Sequence, residues 1–205
     1  MVRLFLKQLI FIFVIAQFGL AVNSVQASTP TESMKKTIDE ILTVLRDKTL
    51  DVDVKKNKIT ESVENRFNYK MMSQRTLGRD WKTASKEQKK TFIDLYSQML
   101  ARTYLKNIEN FSNEKVEFKG ETIKRDVFAV VETEIVSSTK SIPVVYRLRK
   151  SGEDWMVYDV VIEGISLIKN FKGSYGSIID KEGINGLISK MKEKIKEMEA
   201  EKQAA

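Results

Sequence analysis

The chain has no histidine and no cysteine among its 205 residues. That removes imidazole bases, thiolate nucleophiles, disulfides and nearly all transition-metal sites, and leaves carboxylates as the groups able to move protons. Asp159 and Glu163 stand four apart where a strand runs into a turn. Such a pair could do acid–base work, or could cap a helix and bind nearby backbone N–H groups. Asp51 and Asp53 form an acidic pair without the following glycine and the glutamate that a calcium loop needs, and read as a solvated turn. Gly173-Ser174-Tyr175-Gly176 lacks the Lys-Ser/Thr ending of a phosphate loop. Trp81 reads as a core anchor, and Met71, Met72 and Met99 as ordinary core or as the adaptable lining of an apolar pocket. No metal or cofactor is implied.

The elements that would position these groups change character along the chain. Arg3 and Lys7, the apolar run Leu9–Val22 and the sequence Val25-Gln26-Ala27 read as an export signal over residues 1–27, cleaved after Ala27. What remains, residues 28–205, reads as one exported domain that must be held by core burial alone. The formal net charge of +7 suits anionic lipid headgroups or acidic partner surfaces, and there is no arginine–aromatic stripe of a nucleic-acid binder.

A helix capped by Thr31 or Ser33 places Met34, Ile38, Ile41, Leu42 and Leu45 on one stripe. A second helix spans roughly 54–67. A third runs from Tyr69 to Leu77 and stops at Gly78. Ser85 and Gln88 have capping-box spacing, and Phe92, Leu95, Tyr96, Met99 and Leu100 follow with helical periodicity. Four strands come next, near 115–123, 127–136, 142–149 and 155–162, joined by short turns into an antiparallel meander. Strict alternation in the last strand puts Trp155, Val157, Asp159 and Val161 on one face and Met156, Tyr158, Val160 and Ile162 on the other, so both faces are largely apolar and both need cover. Helices over 165–180 and 184–198 close the chain, with Gly183 between them. Helices, then a meander, then helices make an α+β domain.

The ordered set Phe67, Asn68, Tyr69, Met72, Leu77, Gly78, Trp81, Gln88, Phe92 and Leu95 in the helical half, with Pro143, Tyr146, Gly152, Trp155, Tyr158, Asp159, Glu163, Gly164, Ser166, Asn170 and Phe171 in the sheet half, resembles the MlaC family of phospholipid-carrying transport proteins. Asn68 and Lys172 stand where that family usually has Asp and Arg; the lysine keeps the charge but loses the planar fork. The resemblance implies an NTF2-like, cone-shaped fold, a pocket between sheet and helices that holds acyl chains, and a periplasmic, non-enzymatic, monomeric shuttle between an outer-membrane complex and an inner-membrane ABC transporter. Inward positions by period then nominate Leu77, Phe92, Leu95, Met99, Val131, Tyr146, Leu148, Trp155 and Val157 as the pocket lining. Arg147, Lys169 and Lys172 are nominated for the mouth or a docking surface. Two other readings remain: an NTF2-like enzyme using Asp159 or Glu163 on a small apolar substrate, and a scaffold subunit with no ligand.

Overall fold

The computed structural model describes residues 28–105 and 114–204. The signal-peptide reading of residues 1–27 lies outside the described residues, as does Ile108, to which the sequence carries the apolar period of the long helix. Helix α1 (Pro30–Arg46) begins earlier than the spacing suggests. Thr29 is its cap, in a full capping box with Glu32, and Pro30 takes the first turn, where a missing N–H costs nothing. Helix α2 (Val52–Arg66) is capped by Asp51, whose carboxylate accepts from the Val54 N–H at 2.9 Å, which gives that turn aspartate its role. Helix α3 (Tyr69–Leu77) ends at Gly78, which takes φ 58°, ψ −115°, a conformation that a side chain would strain. A short helix α4 (Asp80–Thr83) leads to α5 (Lys86–Leu105), where Ser85 and Gln88 form the expected reciprocal cap.

The sheet has five antiparallel strands in sequence order, not four: β1 (Lys115–Lys124), β2 (Phe128–Val136), β3 (Ser141–Ser151), β4 (Asp154–Ile162) and β5 (Ile165–Ser166). The added β5 is two residues that fold back onto Val161 and Ile162 through the Glu163–Gly164 turn, before α6 (Leu167–Ala204) starts. The final helix expected to begin at Ile165 therefore begins two residues later. Gly183 breaks α6 with φ 70°, ψ −179°. The edge strand β1 alternates lysine and glutamate and carries an irregularity at Phe118/Gly120, both of which discourage pairing with another chain.

One sheet face carries the core. Ala129 and Val131 on β2, Val144 and Leu148 on β3, and Trp155 and Val157 on β4 are buried in a single cluster with Met34 and Ile38 of α1, Met72 and Leu77 of α3, Phe92, Leu95, Tyr96 and Leu100 of α5, and Leu187, Met191 and Ile195 of α6. Strict alternation fails in β4. The register runs Leu148 to Val157 and then Arg147 to Asp159, so Tyr158 is an unpaired, bulged residue. Beyond it the faces exchange. Val160 joins Trp155 and Val157 in the core cluster and Ile162 packs against it, while Asp159 and Val161 turn to the opposite face. The start of α6 covers that face there, since Asp159 accepts a hydrogen bond from the Ile168 N–H.

Candidate functional site

Of the nine residues nominated as pocket lining, Leu77, Phe92, Leu95, Val131, Leu148, Trp155 and Val157 are buried in the one core cluster, and Met99 and Tyr146 pack against it. The elements explain the convergence. Phe92, Leu95 and Met99 recur at i, i+3 and i+7 on α5. Val131 opposes Tyr146, and Leu148 lies between Ala129 and Val157, so the strand residues share one face. The helices contribute an aromatic group as well. Phe92 stacks on Tyr96 at 5.5 Å between centroids, and Tyr175 and Phe171 meet these rings edge-on at 5.9 and 5.3 Å. The Thr76 and Tyr96 hydroxyls bond at 3.2 Å, whereas Ser73 Oγ and the Tyr175 hydroxyl are buried without a partner. Burial pushes the Tyr146 hydroxyl up to about 12 and raises those of Tyr96 and Tyr175 further, so all three are neutral donors at ordinary pH.

The two carboxylates, Asp159 and Glu163, are held in different surroundings. Asp159 is 2% exposed. Its Oδ2 accepts from Arg147 Nη1 and from the Ser166 hydroxyl, both at 2.8 Å, and its Oδ1 from the Ile168 N–H at 3.3 Å. Ser166 Oγ in turn accepts from the Lys169 N–H, capping α6. Asp159 therefore ties a strand to a helix start. Glu163 is exposed in a turn with φ 50°, 3.9 Å from Lys140. Of the cations nominated for a mouth, Arg147 is paired with Asp159, Lys169 is exposed on the first turn of α6, and the Lys172 side chain lies across Gly78, where a β-carbon would meet its Cε at 3.3 Å. Trp81 is partly buried against the core, with Lys89 5.5 Å from its ring centroid. Among the described residues no group of three or more acidic, histidine or cysteine side chains could hold a metal ion, and no helix is long and apolar enough to cross a membrane.

A second polar network has no signal in the sequence, because its members are far apart in the chain. Arg66, 9% exposed, donates from Nε to Thr37 Oγ1 at 2.9 Å, and from Nη1 to Asp154 Oδ1 at 2.6 Å and the Trp155 carbonyl at 2.8 Å. It clamps α1 and α2 to the start of β4. Partial burial works to raise the Asp154 carboxyl, but hydrogen bonds from Arg66, the Trp155 N–H and Ser33, with the Arg66 charge, hold it below the usual carboxylate range. Trp155 also donates its indole N–H to the Ser28 carbonyl at 3.1 Å, which fixes the chain just after Ala27.

Among the described residues two surface cavities stand out, and none of the nine residues lines either. One, about 600 Å³, is a polar groove between α1 and α2 lined by Lys36, Asp39, Glu40, Thr43, Lys58 and Glu61 among others. The other, about 400 Å³, lies between α3 and the sheet and is lined by Met71, Gln74, Arg75, Gly78, Phe128 and Arg149.

Comparison with known proteins agrees with this architecture. The chain is 24% identical over 191 residues to the intermembrane phospholipid transport system binding protein MlaC of Haemophilus influenzae, covering 88% of this chain and 89% of that one. It is similar in structure to the phospholipid-binding protein of Ralstonia solanacearum, solved in complex with a phospholipid, with a TM-score of 0.74 and 26% identity over 81% of this chain and 96% of that chain. Residues 35–193 match the sequence profile of the MlaC protein family, and the chain belongs to that family.

Proposed function

We propose that this protein is a periplasmic phospholipid carrier that moves lipid between an outer-membrane complex and an inner-membrane ABC transporter, without catalysing a reaction. The observation that carries the reading is the likeness, over most of the chain, to a structure with a phospholipid bound. In this reading residues 1–27 are removed on export and 28–205 form one lipid-binding domain. Ser28 is already held by Trp155, so a chain starting there keeps every contact described above.

The acyl chains would lie between the sheet face and the helices, against Leu77, Phe92, Leu95, Met99, Val131, Tyr146, Leu148, Trp155 and Val157. Each buried CH₂ is worth ~0.8 kcal/mol, so two chains totalling roughly thirty such groups gain about 24 kcal/mol over exposure to water. A carrier that crosses an aqueous space must supply that burial. The nine residues belong to or border one core cluster, so in this reading the tails enter between the helices and the sheet. Arg147, Lys169 and Lys172 are assigned to the mouth or a docking surface, with Arg147 acting from its pair with Asp159.

The burial of seven of the nine residues in one core cluster is also compatible with a second reading, a family member that works as a ligand-free subunit. Transfer of labelled phospholipid between two vesicle populations, with and without the purified chain, separates the two. A carrier accelerates transfer in proportion to its concentration; no acceleration would reject the carrier reading.

A further inference from the structure

The cleft beside α3 lies on the sheet face turned away from the core. Phe128 and Arg149 are register partners, and their chain neighbours Ala129 and Leu148 are buried in the core, so Phe128 and Arg149 stand on the opposite side. The Arg75 guanidinium sits 4.2 Å from the centroid of the bulged Tyr158, Arg149 sits 5.8 Å from that of Phe128, and the two rings meet edge to face at 6.0 Å. Lys172 lies across Gly78 at the rim. Among the described residues, none of Arg75, Arg149 and Lys172 has a carboxylate ion-pair partner. Arg147, next on the same face of β3, differs in being neutralised by Asp159.

Both guanidiniums thus lie over aromatic rings, Arg75 the closer of the two. A guanidinium's planar fork fits two oxygens of a phosphate, and uncompensated positive charge in a concave site concentrates its field there. The cleft's volume of about 400 Å³ is enough for a headgroup-sized anion and too small for acyl chains. At this end of the sheet the cleft and the core lie on opposite faces, with α3 beside both: Leu77 is in the core cluster and Gly78 lines the cleft.

We infer that this cleft binds a phosphate mono- or diester, held by Arg75 and Arg149 with Lys172 at the rim. The inference rests on the carrier reading for one source of that group, the phosphodiester of the carried lipid; a free phosphate ester is the other source. The test uses the chain without its leader, stripped of lipid and offered a phospholipid or a diacylglycerol with the same acyl chains. Arg75→Gln, Arg149→Gln and the double variant are compared, with Lys36→Gln in the other groove as control.

The wild type and the control should retain phospholipid over diacylglycerol by roughly tenfold or more. The double variant should lose that preference, with diacylglycerol retention and circular dichroism unchanged. A preference that survives in a folded double variant overturns the inference and leaves the carrier reading standing. Retention of neither lipid by the wild type overturns the carrier reading, and the cleft is then judged by phosphorus NMR with inorganic phosphate and glycerophosphate. Line broadening by the wild type but not by the double variant supports the site with free phosphate as its ligand; broadening by neither overturns it. Slower transfer to a partner complex in the double variant, without any change in phosphate or lipid preference, also overturns it, since the cleft would then be a protein-docking surface.

Discussion

Leu148 offers the sharpest test of where the acyl chains go. It is fully buried on the central strand, between Ala129 on β2 and Val157 on β4, with 1% or less of each exposed. Strands hold it on both sides, so the site collapses little when the side chain is cut back. Leu148→Ala should therefore cost about 3–5 kcal/mol in the lipid-free protein, the upper part of the range for such changes. If an acyl chain lies over Leu148 in the loaded protein, it fills the space left by three carbons and recovers about 2 kcal/mol at ~0.8 kcal/mol per carbon. The loaded variant should thus be destabilised by only about 1–3 kcal/mol. The difference is equivalent to roughly thirtyfold tighter lipid retention by the variant. Urea unfolding of both proteins, lipid-free and lipid-loaded, measures this directly, provided the slopes agree. Equal destabilisation in the two forms would refute the reasoning, because the lipid would then not touch this part of the sheet.

Gly183→Ala should cost about 1–3 kcal/mol through backbone strain alone, since no atom lies within 4 Å of the added carbon; a melting temperature within error of wild type would show that the helix break does not need glycine. Tyr175→Phe should be neutral or stabilising by about 1 kcal/mol in thermal unfolding, because the hydroxyl it removes is buried without a partner, and a clear loss would reveal an unseen bond. Asp154 has a lowered carboxyl in the fold, so its contribution is present above the unfolded value of about 3.9 and is lost as pH falls through the folded value. Asp154→Asn should therefore cost about 0.5–1.5 kcal/mol at pH 7, discounted for its half-exposed side chain, and close to nothing at pH 2; a gap that persists in acid would contradict the assignment. Lys169→Glu and Lys172→Glu should slow lipid delivery to anionic vesicles or a partner complex at low salt, with the difference fading as salt rises; identical rates throughout the salt series would make them ordinary surface charges.

Local signals in the chain were strong where one residue type settles the geometry. Gly78 ended α3 where expected, and Ser85 with Gln88 started α5. Ser33, expected as a possible cap, is instead buried and bonds Ser28 and Asp154, because Thr29 with Glu32 and Pro30 makes the better start. The face of β4 was legible only as far as the bulge. Tyr158 is flanked by Val157 and by the Asp159-Val160-Val161 run, and a bulge among residues of similar character leaves the period unchanged to the eye while exchanging every later face. The nine nominated residues converge because helical period and strand period both survive in α5, β2 and β3. The Arg66–Asp154 clamp and the arginine cleft were not legible, since each joins positions brought together only by the tertiary fold. Arg75 and Arg149 look like solvated surface residues until α3 is laid beside the bulged strand.

The most direct measurement is the lipid content of the protein itself. The exported chain is purified without detergent, denatured, extracted with organic solvent, and its phospholipid counted per chain by mass spectrometry against internal standards. The account predicts close to one phospholipid per chain, reduced in a folded Val131→Asp variant, whose carboxylate would sit on the buried sheet face. Lipid-free protein from cells that make phospholipid in abundance, still folded and monomeric, would contradict it.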